Sequence, residues 1–176
     1  TLAAYRAKVI FLDYSFGEAT DPAVDAELAD AIKLTPTFIA VPQSQRSEVD
    51  ENGNSTLVTF TDKPLELLAR AAAGVVSAGI RGENDSIVRR FPPTPDLAVF
   101  QTPMAMVALR ANPKLPELPG ELDLIRFYGP TGSVRRIPIY KLFDETNPVA
   151  REVLEGKTII VGRALSSTPE VALTET

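Results

Sequence analysis

The sequence predicts an α/β protein: a single domain with a layered, largely parallel sheet flanked by helices. Three observations carry this. The apolar runs VIFL at 9–12 and TIIV at 158–161 read as strands covered on both faces. The helical stretches between strands open on Asp-Pro, Thr-Pro or Asn-Pro, the signature of capped N-termini. Strand and helix signals alternate along 176 residues, with no internal repeat and no second domain.

Residues 2–7, LAAYRA, read as the end of a helix, and KVIFLD follows as the first strand. Asp21 at the N-cap and Pro22 at the first helical position open PAVDAELADAIKL. Its spacing predicts a buried face of Val24, Leu28, Ala31 and Ile32, with Asp25, Glu27 and Asp30 mostly toward solvent. TFIAVP, 37–42, is a second strand. The polar segment SQRSEVDENGNST carries an Asn52-Gly53 turn signal, and LVTF, 57–60, returns as the partner of a long hairpin. PLELLARAAA, 64–73, reads as a helix capped from Thr61 and Asp62, and GVVSAGI as a third main strand.

Further along, GENDS at 82–86 is a turn, IVRRF a short strand and FPPTPD a loop. TPMAMVALRA, 102–111, is a helix with Thr102 as cap and Pro103 at its first position. NPKLPELPG is a loop, ELDLIRFYG a strand, Gly129-Pro130-Thr131-Gly132 a turn and SVRRIPIY a second extended piece. NPVAREVLEG is a helix with Asn147 as cap and Gly156 just past its end. KTIIVG is a last buried strand, central together with KVIFLD. Residues 1–165 form the domain, and the polar residues 166–176 lead out of it. A start on Thr1 suggests a piece excised from a longer protein.

Composition narrows the chemistry. Formal net charge is −5 and the isoelectric point is near 4.9, against a nucleic-acid protein that needs a basic face. Without His or Cys, thiolate and imidazole zinc sites and Ser-His-Asp or Cys-His catalysis are excluded. No stretch spans a bilayer and none reads as a signal peptide. The isolated glycines form no phosphate cradle, so no nucleotide or other cofactor is expected. Glu48, Asp50 and Glu51 lack calcium-loop spacing and read as a solvated loop. Met104 and Met106 read as core filling.

Asp13, closing the first strand, is the first candidate for function. A carboxylate there is a structural acceptor for backbone N–H groups, a ligand contact at the sheet's carboxyl edge, or a nucleophile. The phosphatase-like pattern of the dehalogenase class needs a second Asp two residues on, followed by Gly-Thr. Here Ser15 stands at that place and no Thr follows Gly17, so no catalytic residue and no metal ligand is assigned. Two arginine pairs, Arg89-Arg90 and Arg135-Arg136, would each send one member inward if they lay on strands. A buried guanidinium would need Asp13 or Asp85 as partner; the alternative is that all are exposed.

In order along the chain, KVIFLDYSF, DPAVDAELADAI, TFIAVP, AAGVVSAGI, ENDSIVRRF, TPMAMVALRA, ELDLIRFYGP and LEGKTIIVG resemble the extracytoplasmic CHASE-type sensory domain of the second class. Asp13 and Phe16 stand at the family's first motif, and Asp85, Arg89 and Arg90 at the second. Ile125, Phe127, Gly129 and Pro130 stand at the third, and Leu154, Gly156, Lys157, Val161 and Gly162 at the last. Ser86 departs from the family's glycine. The family's first strand would precede Thr1.

The resemblance implies a non-enzymatic receiving domain outside the bacterial cell membrane, between flanking membrane helices. It would control a nucleotide cyclase, histidine kinase, diguanylate cyclase or phosphodiesterase, or serine/threonine kinase. It also implies an unknown small-molecule ligand or stimulus and a homodimer. Asp13, Ser15, Asp85, Arg90 and Arg126 are the candidate ligand-binding constellation at the sheet's carboxyl edge. The rival readings are a soluble α/β hydrolase using Asp13 and a periplasmic interaction module.

Overall fold

The structure, a computed structural model, describes residues 2–41, 43–61, 63–77, 89, 129–130 and 133–163. In chain order the elements are β1 (Val9–Asp13), α1 (Pro22–Lys33), β2 (Thr37–Val41), β3 (Gln43–Val49), β4 (Ser55–Thr61), α2 (Glu66–Ala71), β5 (Gly74–Ser77) and β6 (Thr158–Gly162). Two 3₁₀ turns, Ile139–Phe143 and Arg151–Val153, precede β6. The expected strand and helix signals at 82–128, apart from the lone Arg89, and the tail at 166–176 lie outside the described residues.

A four-stranded parallel sheet runs in the order β5-β2-β1-β6. The chain lays down β1, β2 and β5 outward in one direction, then returns to the far side of β1 for β6. Parallel neighbours need crossovers, and right-handed crossovers in one direction put their helices on one face. α1 and α2 obey this. Ala29 and Ile32 of α1 and Leu68 of α2 are buried together against Ile39 and Val41 of β2. On the opposite face Val9, Phe11, Ala40 and Val76 form a second buried cluster. Phe11 and Phe38 stack there with ring centroids 5.4 Å apart. Gly74 makes room for this stack, since a β-carbon at Gly74 would lie 3.1 Å from the Phe38 ring.

The Asp-Pro start of α1 is as expected. The Asp21 carboxylate accepts from the Ala23 N–H at 2.8 Å, and Pro22 occupies the first turn. The buried face is rotated from the expected one. Leu28, Ala29 and Ile32 point inward, while Val24 is 57% exposed and Ala31 is exposed. Asp25 is only half-exposed because its carboxylate takes the Thr20 N–H and hydroxyl at 3.1 and 2.7 Å.

The hairpin is present: β3 and β4 pair antiparallel from Gln43↔Thr61 to Val49↔Ser55. Gly53, at φ +82°, fills a left-handed turn position. Four other expectations are corrected. The helix expected over 64–73 covers only Glu66–Ala71, with Leu65 at its N-cap and no side-chain cap. The helix expected at 147–156 is the single 3₁₀ turn Arg151–Val153, and residues 133–138 pair in no strand. Lastly, β6 is not covered on both faces as expected, for its residues are exposed or half-buried throughout. It lies at the edge of the sheet among the described residues, and Ile160 is 59% exposed.

The start of the chain is a turn, not a helix end. Tyr5 and Arg6 donate back to Leu2 and Ala3. Arg6 adopts φ +54°, and its carbonyl accepts from the Gly156 N–H at 2.9 Å. The Lys8 N–H donates to the Lys157 carbonyl at 2.9 Å. The LEGK turn thus sets β6 beside β1.

Candidate functional site

Ligands in open α/β sheets bind outside the carboxyl ends of the strands, where the strand order reverses. Here the reversal falls between β1 and β6. Asp13, the last residue of β1, and Gly162, the last of β6, are register partners at that place. Asp13 is exposed.

Alternation along the strands puts Asp13 on the same face as Phe11, opposite α1 and α2. The row across the sheet at this level reads Val76, Ala40, Asp13, Gly162. The two immediate neighbours of the carboxylate are therefore the two smallest residue types. A β-carbon at Gly162 would lie 3.3 Å from the Asp13 Cβ and 3.5 Å from its Oδ2. The next row in reads Gly74, Phe38, Phe11, Ile160. The acid thus stands above an aromatic floor, with a bare strand on one side and an exposed isoleucine diagonally below.

Ser15 lies in the loop that follows β1 and is exposed, so Asp13 and Ser15 share the carboxyl edge. This loop is fixed. The Phe16 carbonyl accepts from the Leu65 N–H at 2.8 Å, and the Phe16 ring packs against the helix-side core. Gly17 closes on the same segment, with a β-carbon there 3.4 Å from the Lys63 carbonyl oxygen.

Asp85, Arg90 and Arg126, the other members of the candidate constellation, lie outside the described residues. Arg89 is half-buried, and Arg135 and Arg136 are both exposed in a stretch without strand pairing. That pair therefore follows the exposed reading. Among the described residues no hydrogen bond or ion pair engages the Asp13 carboxylate, and no group of three acidic side chains could hold a metal ion.

The sequence puts Asp13 and Ser15 at the end of the first strand but does not show that Ala40 and Gly162 flank Asp13 there. Gly162 entered only within the closing Val-Gly motif. Its meaning depends on which strand lies beside β1, and no local pattern states that.

Two other carboxylates are held below their ordinary range. Asp50 is lowered chiefly by the Asn54 side-chain amide, with help from the Asn54 and Asn52 N–H groups. Asp144 is lowered first by the Thr146 hydroxyl, then by Lys141 and the Asn147 N–H. Both are structural turn acids, fully engaged by their own loops.

Among the described residues no helix is long and apolar enough to cross a membrane. No curated protein and no solved structure matches the chain. The family model for the CHASE2 domain matches residues 1–174. CHASE2 domains are extracytoplasmic sensory modules of membrane receptors and are not catalytic. The match runs nearly end to end and agrees with the parallel, helix-flanked sheet, so the chain belongs to the CHASE2 family of receptor sensory domains.

Proposed function

We propose that this domain is the extracytoplasmic receiving part of a bacterial transmembrane receptor, with membrane helices on both sides of it in the parent protein. Its output is a cytoplasmic enzyme such as a nucleotide cyclase, histidine kinase or diguanylate cyclase. The domain works as a homodimer. A small ligand engages the carboxyl edge of the sheet, where Asp13 and Ser15 stand and to which Asp85, Arg90 and Arg126 are assigned. Binding favours one arrangement of the domain over another and so biases the helices that enter the membrane.

The observation that carries this reading is the family match over residues 1–174. The position of Asp13 supports it: an exposed carboxylate at the reversal point of the strand order suits a ligand contact. The test is the sequence of the parent gene. It should encode membrane segments before and after this domain, followed by a cytoplasmic signalling enzyme. A complete reading frame without membrane segments would remove the receptor role.

A further inference from the structure

We infer that the carboxyl end of the β1–β6 seam receives a small molecule with a cationic or hydrogen-bond-donating head for Asp13 and an apolar body for Ile160. This rests on the sensory reading but, of the charged candidates at that edge, on Asp13 alone, since Asp85, Arg90 and Arg126 lie outside the described residues; it narrows an unspecified ligand to one chemical class.

Three features of the seam point the same way. An exposed carboxylate is an acceptor only, so its complement is a donor, best a charged one. Asp13 meets no cation among the described residues, and the residues flanking it in the row, Ala40 and Gly162, carry no polar atom in their side chains. The bare Gly162 keeps the space beside the carboxylate open, since any side chain there would begin 3.3 Å from the Asp13 Cβ.

Ile160 supplies the second half. It is the register partner of Phe11 and lies two residues before Gly162 on the same face. It is 59% exposed although it neighbours the fully buried Phe11. With a strand rise of about 3.3 Å per residue and about 4.8 Å between strands, Ile160 lies diagonally roughly 8 Å from Asp13 along the sheet. An arylalkylamine can span this separation, with its ammonium on the carboxylate and its ring on the isoleucine. A carboxylate ligand of the same shape would meet like charge at Asp13.

The test is a titration of the full 176-residue chain, labelled for amide NMR, with phenethylamine, with 3-phenylpropionate and with ethylamine. Phenethylamine should shift the Asp13, Ile160 and Gly162 signals at millimolar concentration. Ethylamine should bind more weakly, and 3-phenylpropionate should leave the seam unmoved. Asp13→Asn should weaken phenethylamine about tenfold, the scale of one lost charge-assisted contact. Gly162→Val, which fills the seam and keeps the charge, should weaken it as well, so the proposal stays testable if one variant folds poorly.

Seam signals unmoved by phenethylamine would overturn the assignment. Equal binding by the folded Asp13→Asn protein, or stronger binding of 3-phenylpropionate, would do the same. Any of these results, found alongside membrane segments in the parent gene, removes the ligand class and leaves the receptor role standing.

Discussion

Asp13 and Gly162 face each other across the β1–β6 seam, and the absence of a side chain on Gly162 is what gives the Asp13 carboxylate its open flank. The backbone at Gly162 does not require glycine, for its φ lies outside the left-handed region. The requirement is steric and local. Gly162→Ala crowds Asp13 but removes the entropy penalty of a strand glycine, about 0.5–1 kcal/mol. The two effects oppose each other, so stability measured by urea unfolding should change by less than about 1 kcal/mol. The Asp13 amide signal should nevertheless move. A variant that unfolds outright would show that Gly162 has a backbone role.

Gly156 is the opposite case. It sits at φ +68° with its N–H bonded to the Arg6 carbonyl at 2.9 Å, in the turn that aligns β6 with β1. A side chain there meets open space, so the cost is conformational. Gly156→Ala should lower stability by about 1–2 kcal/mol, the penalty for an L-residue in the left-handed region. Urea unfolding measures it, and an unchanged midpoint would contradict the turn.

Leu67 and Leu68 are adjacent in α2 yet differ in burial, at 48% and 1% exposure. Leu68 packs on Ile32, Ile39 and the rest of the helix-side core. Leu68→Ala should cost about 2–5 kcal/mol and Leu67→Ala well under 1 kcal/mol. Equal losses would mean that α2 presents a different face to the sheet.

The hairpin tip should respond to pH with a definite sign. The Asn54 amide and the neighbouring N–H groups favour the ionised form of Asp50. A carboxyl lowered on folding contributes stability above its unfolded value and loses it as pH falls through the folded value. The Asn52 and Asn54 amide signals should therefore stay fixed from neutral pH down to the ordinary aspartate range, about pH 4, and move only below it. Movement near neutral pH would contradict the hydrogen bonds at Asp50.

Much of the fold was legible in the sequence because its signals are local. The apolar runs of β1 and β2 and the Asp21-Pro22 start of α1 need no tertiary information. The failures have specific causes. Leu65 has an extended ψ of 136° as it bonds the Phe16 carbonyl, so α2 begins only at Glu66. Ala72 is extended because the Ala73 N–H already pairs with the Thr37 carbonyl, so α2 also ends early. Asn147 has the signature of a helix cap, but residues 148–150 are not helical, and Asn147 and Thr146 instead close a turn by donating their N–H groups to the Asp144 carboxylate. At the site, Asp13 was visible as a strand-end acid. Its partner Gly162 was not, since pairing between residues 149 positions apart is set by topology.

CHASE2 domains are sensory and not catalytic. The purified domain should therefore release no phosphate from p-nitrophenyl phosphate with magnesium present. Turnover that disappears in Asp13→Asn would turn the carboxylate from a ligand contact into a nucleophile.

The central claim is that this domain faces outward from the cell membrane as part of a receptor. Limited proteolysis of spheroplasts carrying the full-length parent, followed with an antibody to this domain, tests it most directly. Externally added protease should remove the domain while a cytoplasmic marker stays whole. A domain protected until the cells are lysed would contradict it.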